Sequence, residues 1–379
     1  MLNGRRPYKQ TMIAQRRNRL SQILESMQLD GLVLNAGPSF TYFTGLHFHL
    51  MERPVLFFIL PGRTPVMILP ELERAKLDQL DFEAEIFLYP DNPAHWPGIF
   101  SQACSHIGPA VARLGIEPGQ MRMLEHGYLA QAAADLDFVN AEQVIAQIRS
   151  TKDESETELM GKAVAIAQQA ISATLPLIKI GMSERELAAE LVVQLLRHGS
   201  QASLPFAPIV SSGPNGANPH AAPSDKKIAG GELLIIDWGA AWQGYVSDLT
   251  RTFAVAHVEK EFAHIHELVR LANRAGRKAA GPAIACQAVD RAARSVIEEA
   301  GYGACFTHRT GHGIGMQCHE SPYIHEGNEQ LLQPGMTFTV EPGIYLKGRG
   351  GVRIEDDVII TGDGAASLSD YPRHLSVVG

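Results

Sequence analysis

Residues 235–250 read IIDWGAAWQGYVSDLT, two strand-like runs joined by a turn that contains Gln243-Gly244. Ile235, Ile236 and Trp238 surround Asp237, and Val246 and Leu249 surround Asp248, so each carboxylate sits in a segment apolar enough to be buried. A hairpin centred between Trp242 and Gln243 sets Asp237 directly opposite Asp248 on one sheet face. Two carboxylates held ~4 Å apart at an effective dielectric of ~20 repel by about 4 kcal/mol, a cost that a bound cation removes. Alone, the hairpin says little, because an aspartate at a strand end is usually an ordinary solvated residue.

Three more residues change that reading. His312 lies in Gly311-His312-Gly313-Ile314-Gly315, where glycines let the backbone approach whatever the imidazole touches. Glu341 follows the β-branched and aromatic run Thr337-Phe338-Thr339-Val340 and enters the turn signal Pro342-Gly343. Glu355 alternates with Arg353 in Val352-Arg353-Ile354-Glu355, so both side chains project from one face. Oxygen donors with a single histidine suit manganese, with cobalt, iron or zinc as other choices. With the histidine neutral, four carboxylates match the charge of two divalent ions, the stoichiometry of a two-metal hydrolytic site.

These residues resemble the pita-bread metallopeptidases, the family of methionine aminopeptidase, aminopeptidase P and prolidase. The resemblance implies that Asp237 chelates one ion, that Asp248 and Glu355 bridge both, and that His312 and Glu341 complete the second. It also makes Glu341 a proton shuttle. Three outer histidines match the same pattern: His220 near the substrate amide, His319 at the scissile carbonyl, and His308, which pairs with Arg353 in the proline-specific branch. Cys318 beside His319 is read as a small packing residue rather than a nucleophile.

The length of 379 residues fits two domains. Strand-like runs at 32–34, 55–60, 65–69 and 85–89, with helical stretches around Leu20, Ile23, Leu24 and Met27 and at 142–148, give an α/β domain over 1–150 that resembles the creatinase N-terminal domain. Tyr42, Phe43, Thr44 and Gly45 follow its first strand much as in that domain. From 151 to 379, capped helix starts at Asp153 and Ser183, helices near 261–279 and 287–300, and intervening strands describe two helices followed by strands, twice over. The fold class is therefore α+β, a curved antiparallel sheet backed by helices behind a smaller α/β domain.

A net charge of -8 argues against a nucleic-acid surface. Arg5, Arg6, Lys9, Arg16, Arg17 and Arg19 read as a solvated helix face, with no apolar segment after them to make a secretory signal. No apolar run is long enough to span a bilayer. Cys104, Cys286, Cys305 and Cys318 form no C-x-x-C pair and read as reduced thiols of a cytoplasmic protein.

Resemblance places the chain in the proline-specific branch, acting on the bond between an N-terminal residue and proline in short peptides, as a homodimer. Some prolidases carry an arginine close behind the catalytic histidine to hold a dipeptide carboxylate. Ser321-Pro322-Tyr323-Ile324-His325 contains none, so dipeptidase and aminopeptidase P activity both stay open. The rival readings are an ectoine-hydrolase-like enzyme, which keeps the ligands, and a creatinase-like enzyme or non-catalytic interaction module, which would have lost some of them.

Overall fold

The computed structural model describes residues 5–379, with side chains from Met12 onward. The chain separates into two compact units, Met1–Ile148 and Arg149–Gly379.

In the first unit six strands form one mixed sheet, in the order Glu85–Tyr89, Val66–Pro70, Leu56–Ile59, Gly31–Asn35, Arg113–Ile116 and Asp137–Asn140. Gly31–Asn35 runs antiparallel to Leu56–Ile59 and parallel to Arg113–Ile116. Its residues and those of the two strands beyond it, Leu56–Ile59 and Val66–Pro70, are buried throughout, as uninterrupted apolar runs require when both sheet faces are covered. Pro38–Thr44 forms a short helix closed by Gly45 in the left-handed region, φ 73°, whose N–H donates to the Thr41 carbonyl. The helix Arg5–Ser26 buries Leu20 and Leu24, but Met27 falls beyond its end and is exposed.

The solvated-face expectation for the basic residues of this helix needs correction. Arg16 stacks on Tyr42 at 4.0 Å and Arg17 on Phe82 at 3.6 Å, so both spread their planar guanidinium groups over aromatic surface. Arg19 is exposed and donates to the Gln147 carbonyl. The side chains of Arg5, Arg6 and Lys9 lie outside the described residues.

The second unit contains two helix pairs. Glu154–Thr174 and Glu184–Arg197 each begin with a full capping box, Asp153 with Glu156 and Ser183 with Glu186. Leu187, Leu191 and Leu195 lie on one helical stripe and pack with Ile166 and Ile171 against Leu234, Ile236 and Trp238 of the sheet. The second pair is Lys260–Ala279 and Cys286–Glu299. Ile265, Val269 and Ile297 pack against Ile344 and Val352, while Val289 meets Phe338 and Val340.

Each helix pair backs its own half of the sheet. Ile209–Ser212, Leu233–Trp238 and Leu249–Val255 run antiparallel, with Val377–Val378 added parallel at the edge. The other half is antiparallel, in the order Glu320–Ile324, Gly311–Gly313, Thr337–Val340, Asp356–Ile360, Ala365–Ser367. A bridge between Thr250 and Glu355 joins the halves.

The hairpin register departs from expectation by one step. Trp242 faces Tyr245, so the two-residue loop is Gln243-Gly244, with φ values of 49° and 85°. Positive φ at both central positions marks a type I′ turn, whose twist matches that of the strands. The centre therefore lies between Gln243 and Gly244, and Asp237 faces Thr250 rather than Asp248. Because Thr250 and Asp248 share a face by the two-residue period, the two carboxylates become diagonal neighbours.

Candidate metal centre

Local packing explains why each side chain arrives where it does. A Cβ on Gly311 would lie 1.8 Å from the Thr339 carbonyl oxygen and one on Gly313 would lie 2.2 Å from that of Ser321, so only glycines allow His312 to ride so close between its neighbours. Glu341 leaves the end of Thr337–Val340, anchored by its N–H to the Thr310 carbonyl. Glu355 is drawn to the opposite half-sheet by its N–H on the Thr250 carbonyl and by the Thr250 hydroxyl, which donates to Glu355 Oε2 at 2.6 Å.

One donor atom each from Asp248, His312 and Glu355 lies within 4.8 Å of the others. His312 Nε2 is 3.3 Å from Glu341 Oε1 and 3.7 Å from Asp248 Oδ2. Asp237 stands at the margin of this group, with Oδ2 accepting from Arg353 Nη2 at 2.7 Å.

The donors fit divalent cations. Asp237 Oδ1 and Asp248 Oδ1 are buried with no hydrogen-bond partner, which is costly unless a cation meets them. Of these carboxylates Asp237 is paired with the buried guanidinium of Arg353. Burial, aggravated by Asp237, holds the Asp248 carboxyl well above the usual range. Burial together with Asp248, Glu341 and Asp237 does the same to Glu355. Burial lifts Glu341 to about 7, with Arg353 opposing and Asp237 reinforcing it. Burial and then His319 push His312 down to about 3, leaving a neutral imidazole able to ligate.

The outer residues divide. His319 is exposed, with its ring 4.1 Å from that of His312. His220 is also exposed, in a loop where its N–H donates to the Asn218 side chain. His308 and Arg353 do not pair directly; Tyr345 stands between them. Arg353 Nη1 donates to the Tyr345 hydroxyl at 3.0 Å, and that hydroxyl lies 2.8 Å from His308 Nε2. His308 Nδ1 lies 2.7 Å from the Arg309 carbonyl and must donate to it, so Nε2 accepts from the tyrosine. Burial holds this histidine down at about 4 and therefore neutral.

Several functional neighbours were absent from the sequence reading. Thr250 and Thr339, which donates to Glu341, each sit two residues from a site carboxylate, so the two-residue period could have found them. Cys318 is more than a packing residue, since its thiol donates to Asp248 Oδ2 at 3.0 Å. Asp357 accepts the Asp248 N–H. Neither Tyr345 nor Asp357 announces itself by spacing.

Residues 158–362 match metallopeptidase family M24, and residues 16–151 match the creatinase/prolidase N-terminal domain. The chain is 32% identical to the Xaa-Pro dipeptidase of Pyrococcus horikoshii, with 94% of this chain and 97% of that relative covered. It also superposes on the crystal structure of dipeptidase PepE from Mycobacterium ulcerans, with a TM-score of 0.88, 33% identity, and 97% and 98% of the two chains covered. For the recombinant prolidase from Thermococcus sibiricus the TM-score is 0.89, with 33% identity and 96% and 98% covered. The fold is thus a creatinase-type N-terminal domain followed by a pita-bread domain. Since the match runs from the first long helix of the second unit past Glu355, and the buried carboxylates lie within it, this chain belongs to metallopeptidase family M24.

Proposed function

We propose that the protein hydrolyses the bond between an N-terminal residue and proline in short peptides, using two divalent ions held by Asp237, Asp248, His312, Glu341 and Glu355. The observation behind this reading is the pair of buried, partnerless oxygens on Asp237 and Asp248 beside a neutral His312 and Glu355. When bound, such ions supply Lewis-acid activation of water and of the scissile carbonyl.

The chain's own groups do the rest. Arg353 fixes Asp237 through Oδ2 and leaves Oδ1 free to ligate. Glu341, whose Oε1 lies 3.3 Å from His312 Nε2, takes a proton from water and passes it to the leaving imino nitrogen. His319, exposed beside His312, donates to the carbonyl oxygen as charge develops there. His220 and His308 flank the proline ring, and Tyr345 orients His308. Xaa-Pro dipeptidases among the relatives support the proline requirement. By the same resemblance the ion is manganese and the protein a cytoplasmic homodimer; no helix among the described residues is long and apolar enough to cross a membrane.

The test is hydrolysis of matched Xaa-Pro and Xaa-Ala substrates, with ectoine as a control, by protein stripped with chelator and reloaded with manganese or cobalt. Stripping should abolish turnover, and kcat/KM should favour Xaa-Pro by more than about tenfold, or ~1.4 kcal/mol of differential transition-state binding. Undiminished turnover without metal refutes the metal assignment, and equal cleavage of both peptides refutes the proline requirement.

A further inference from the structure

Arg309 is a cation beside the candidate centre that the proposed chemistry does not use. Its guanidinium carbon lies 4.5 Å from the ring centroid of Tyr323, and Tyr323 pairs across the ladder with His312. Both side chains are half-buried. Its field reaches His312, His319 and Glu341, lowering the proton affinity of each. The guanidinium nevertheless makes no hydrogen bond or ion pair among the described residues.

The neighbouring cations differ. Arg353 is spent on Asp237, Thr250, Tyr345 and the Pro219 carbonyl. Arg149 and Lys152 are both held by the buried Glu320. An arginine stacked on an aromatic face keeps its N–H fork free and its plane fixed, which is the arrangement that receives a carboxylate in bidentate fashion. In a dipeptide only the imino nitrogen and one α-carbon separate the scissile carbonyl carbon from the terminal carboxylate. A substrate whose carbonyl lies at His319 must therefore place its carboxylate close by. An internal peptide or an amide presents no charge at that point.

We propose that Arg309, stacked on Tyr323, receives the free α-carboxylate of a dipeptide substrate and makes this protein a dipeptidase. The segment 321–325 behind His319 has no arginine, and Tyr323 there supplies the surface against which Arg309 is held. The inference rests on the peptidase reading of the same site, but not on its preference for proline.

The experiment measures kcat/KM of manganese-loaded protein for a dipeptide and for the same dipeptide as its C-terminal amide, using Xaa-Pro and Xaa-Ala pairs. The quantity read is the acid-to-amide ratio within each pair. Wild-type protein should favour the free acid by at least about tenfold. Arg309→Gln, close in size but uncharged, should collapse most of that ratio, mainly through KM. Arg309→Lys should preserve a substantial part of it, and Tyr323→Leu should lower it by a smaller factor than Arg309→Gln. A wild-type ratio near unity overturns the inference, as does an Arg309→Gln variant that keeps the wild-type ratio or loses both substrates equally. Failure of the proline preference would appear instead as equal rates for Xaa-Pro and Xaa-Ala, with the acid-to-amide ratio intact.

Discussion

Thr250→Val isolates the link between the two half-sheets without changing side-chain shape. The hydroxyl is fully buried, donates to Glu355 Oε2 at 2.6 Å and accepts from Arg353 Nε at 3.1 Å. Valine removes both bonds. The Glu355 carboxyl, which burial and Asp248 hold well above the usual carboxylate range in metal-free protein, receives a hydrogen bond that contributes about 1 kcal/mol. The Arg353 bond involves a charge and contributes about 1.5–3 kcal/mol. Together these set a loss of about 2.5–4 kcal/mol in urea unfolding of the metal-free variant. On metal loading Glu355 must ionise, and loss of an oriented hydrogen bond to a ligand typically weakens metal binding about 10–100-fold. Thr250→Ser keeps the hydroxyl and deletes only a buried methyl, so it should lose about 1 kcal/mol of stability and hold its metal nearly as well as wild type. If valine costs less than about 1 kcal/mol and leaves metal affinity unchanged, Thr250 is not what orients Glu355.

Ligand and outer-shell residues should separate cleanly. Glu355→Ala should lower both metal content, by elemental analysis, and activity, whereas His319→Ala should retain the metals and lose about 2.7–4 kcal/mol of transition-state stabilisation in single-turnover assays. Loss of metal from the His319 variant would make it a ligand instead. Metal loading should also release protons, because Asp248, Glu355 and Glu341 are displaced upward in metal-free protein. Calorimetry in buffers of different ionisation enthalpy should find about one proton or more released at pH 6, and fewer as the pH rises above about 7, where Glu341 loses its proton without metal. Release that grows with pH would contradict this electrostatic picture. Tyr345→Phe removes the acceptor of Arg353 and the donor to His308; it should cost about 1–3 kcal/mol in unfolding and lower kcat/KM while sparing metal content.

Secondary structure was legible wherever a local rule decided it. The Ser183 and Glu186 capping box, followed by Leu187, Leu191 and Leu195, marks one helix end and one buried face, and both appear as read. The run 337–340 becomes a strand with those bounds, because four β-branched or aromatic residues favour a strand and Pro342, which has no N–H to donate, interrupts the ladder before Gly343 begins the next one. The hairpin register was harder to see. A two-residue loop with positive φ at both positions usually shows Asn-Gly or Asp-Gly, and Gln243 is a rarer occupant of the first position. Displacing the centre by one step put Thr250 opposite Asp237 and made it available to Glu355.

That displacement also shows why the candidate ligands stand out in the sequence while the contacts around them do not. A ligand carboxylate stands out because it is charged in an apolar segment, a contradiction visible in one line of sequence. Its support is made by closure of distant segments. Arg353 gives one nitrogen to Asp237, another to Thr250, and a third to Tyr345 and the Pro219 carbonyl, tying the first half-sheet, the 343–353 hairpin and the loop at Pro219 into one hydrogen-bonded unit. A lysine would supply the charge but not three nitrogens in a fixed plane, so it would leave Tyr345 or Thr250 without its partner. The buried arginine is therefore required by geometry as well as by charge. It holds one oxygen of Asp237 and leaves the other exposed to the carboxylate cluster, where a cation would satisfy it.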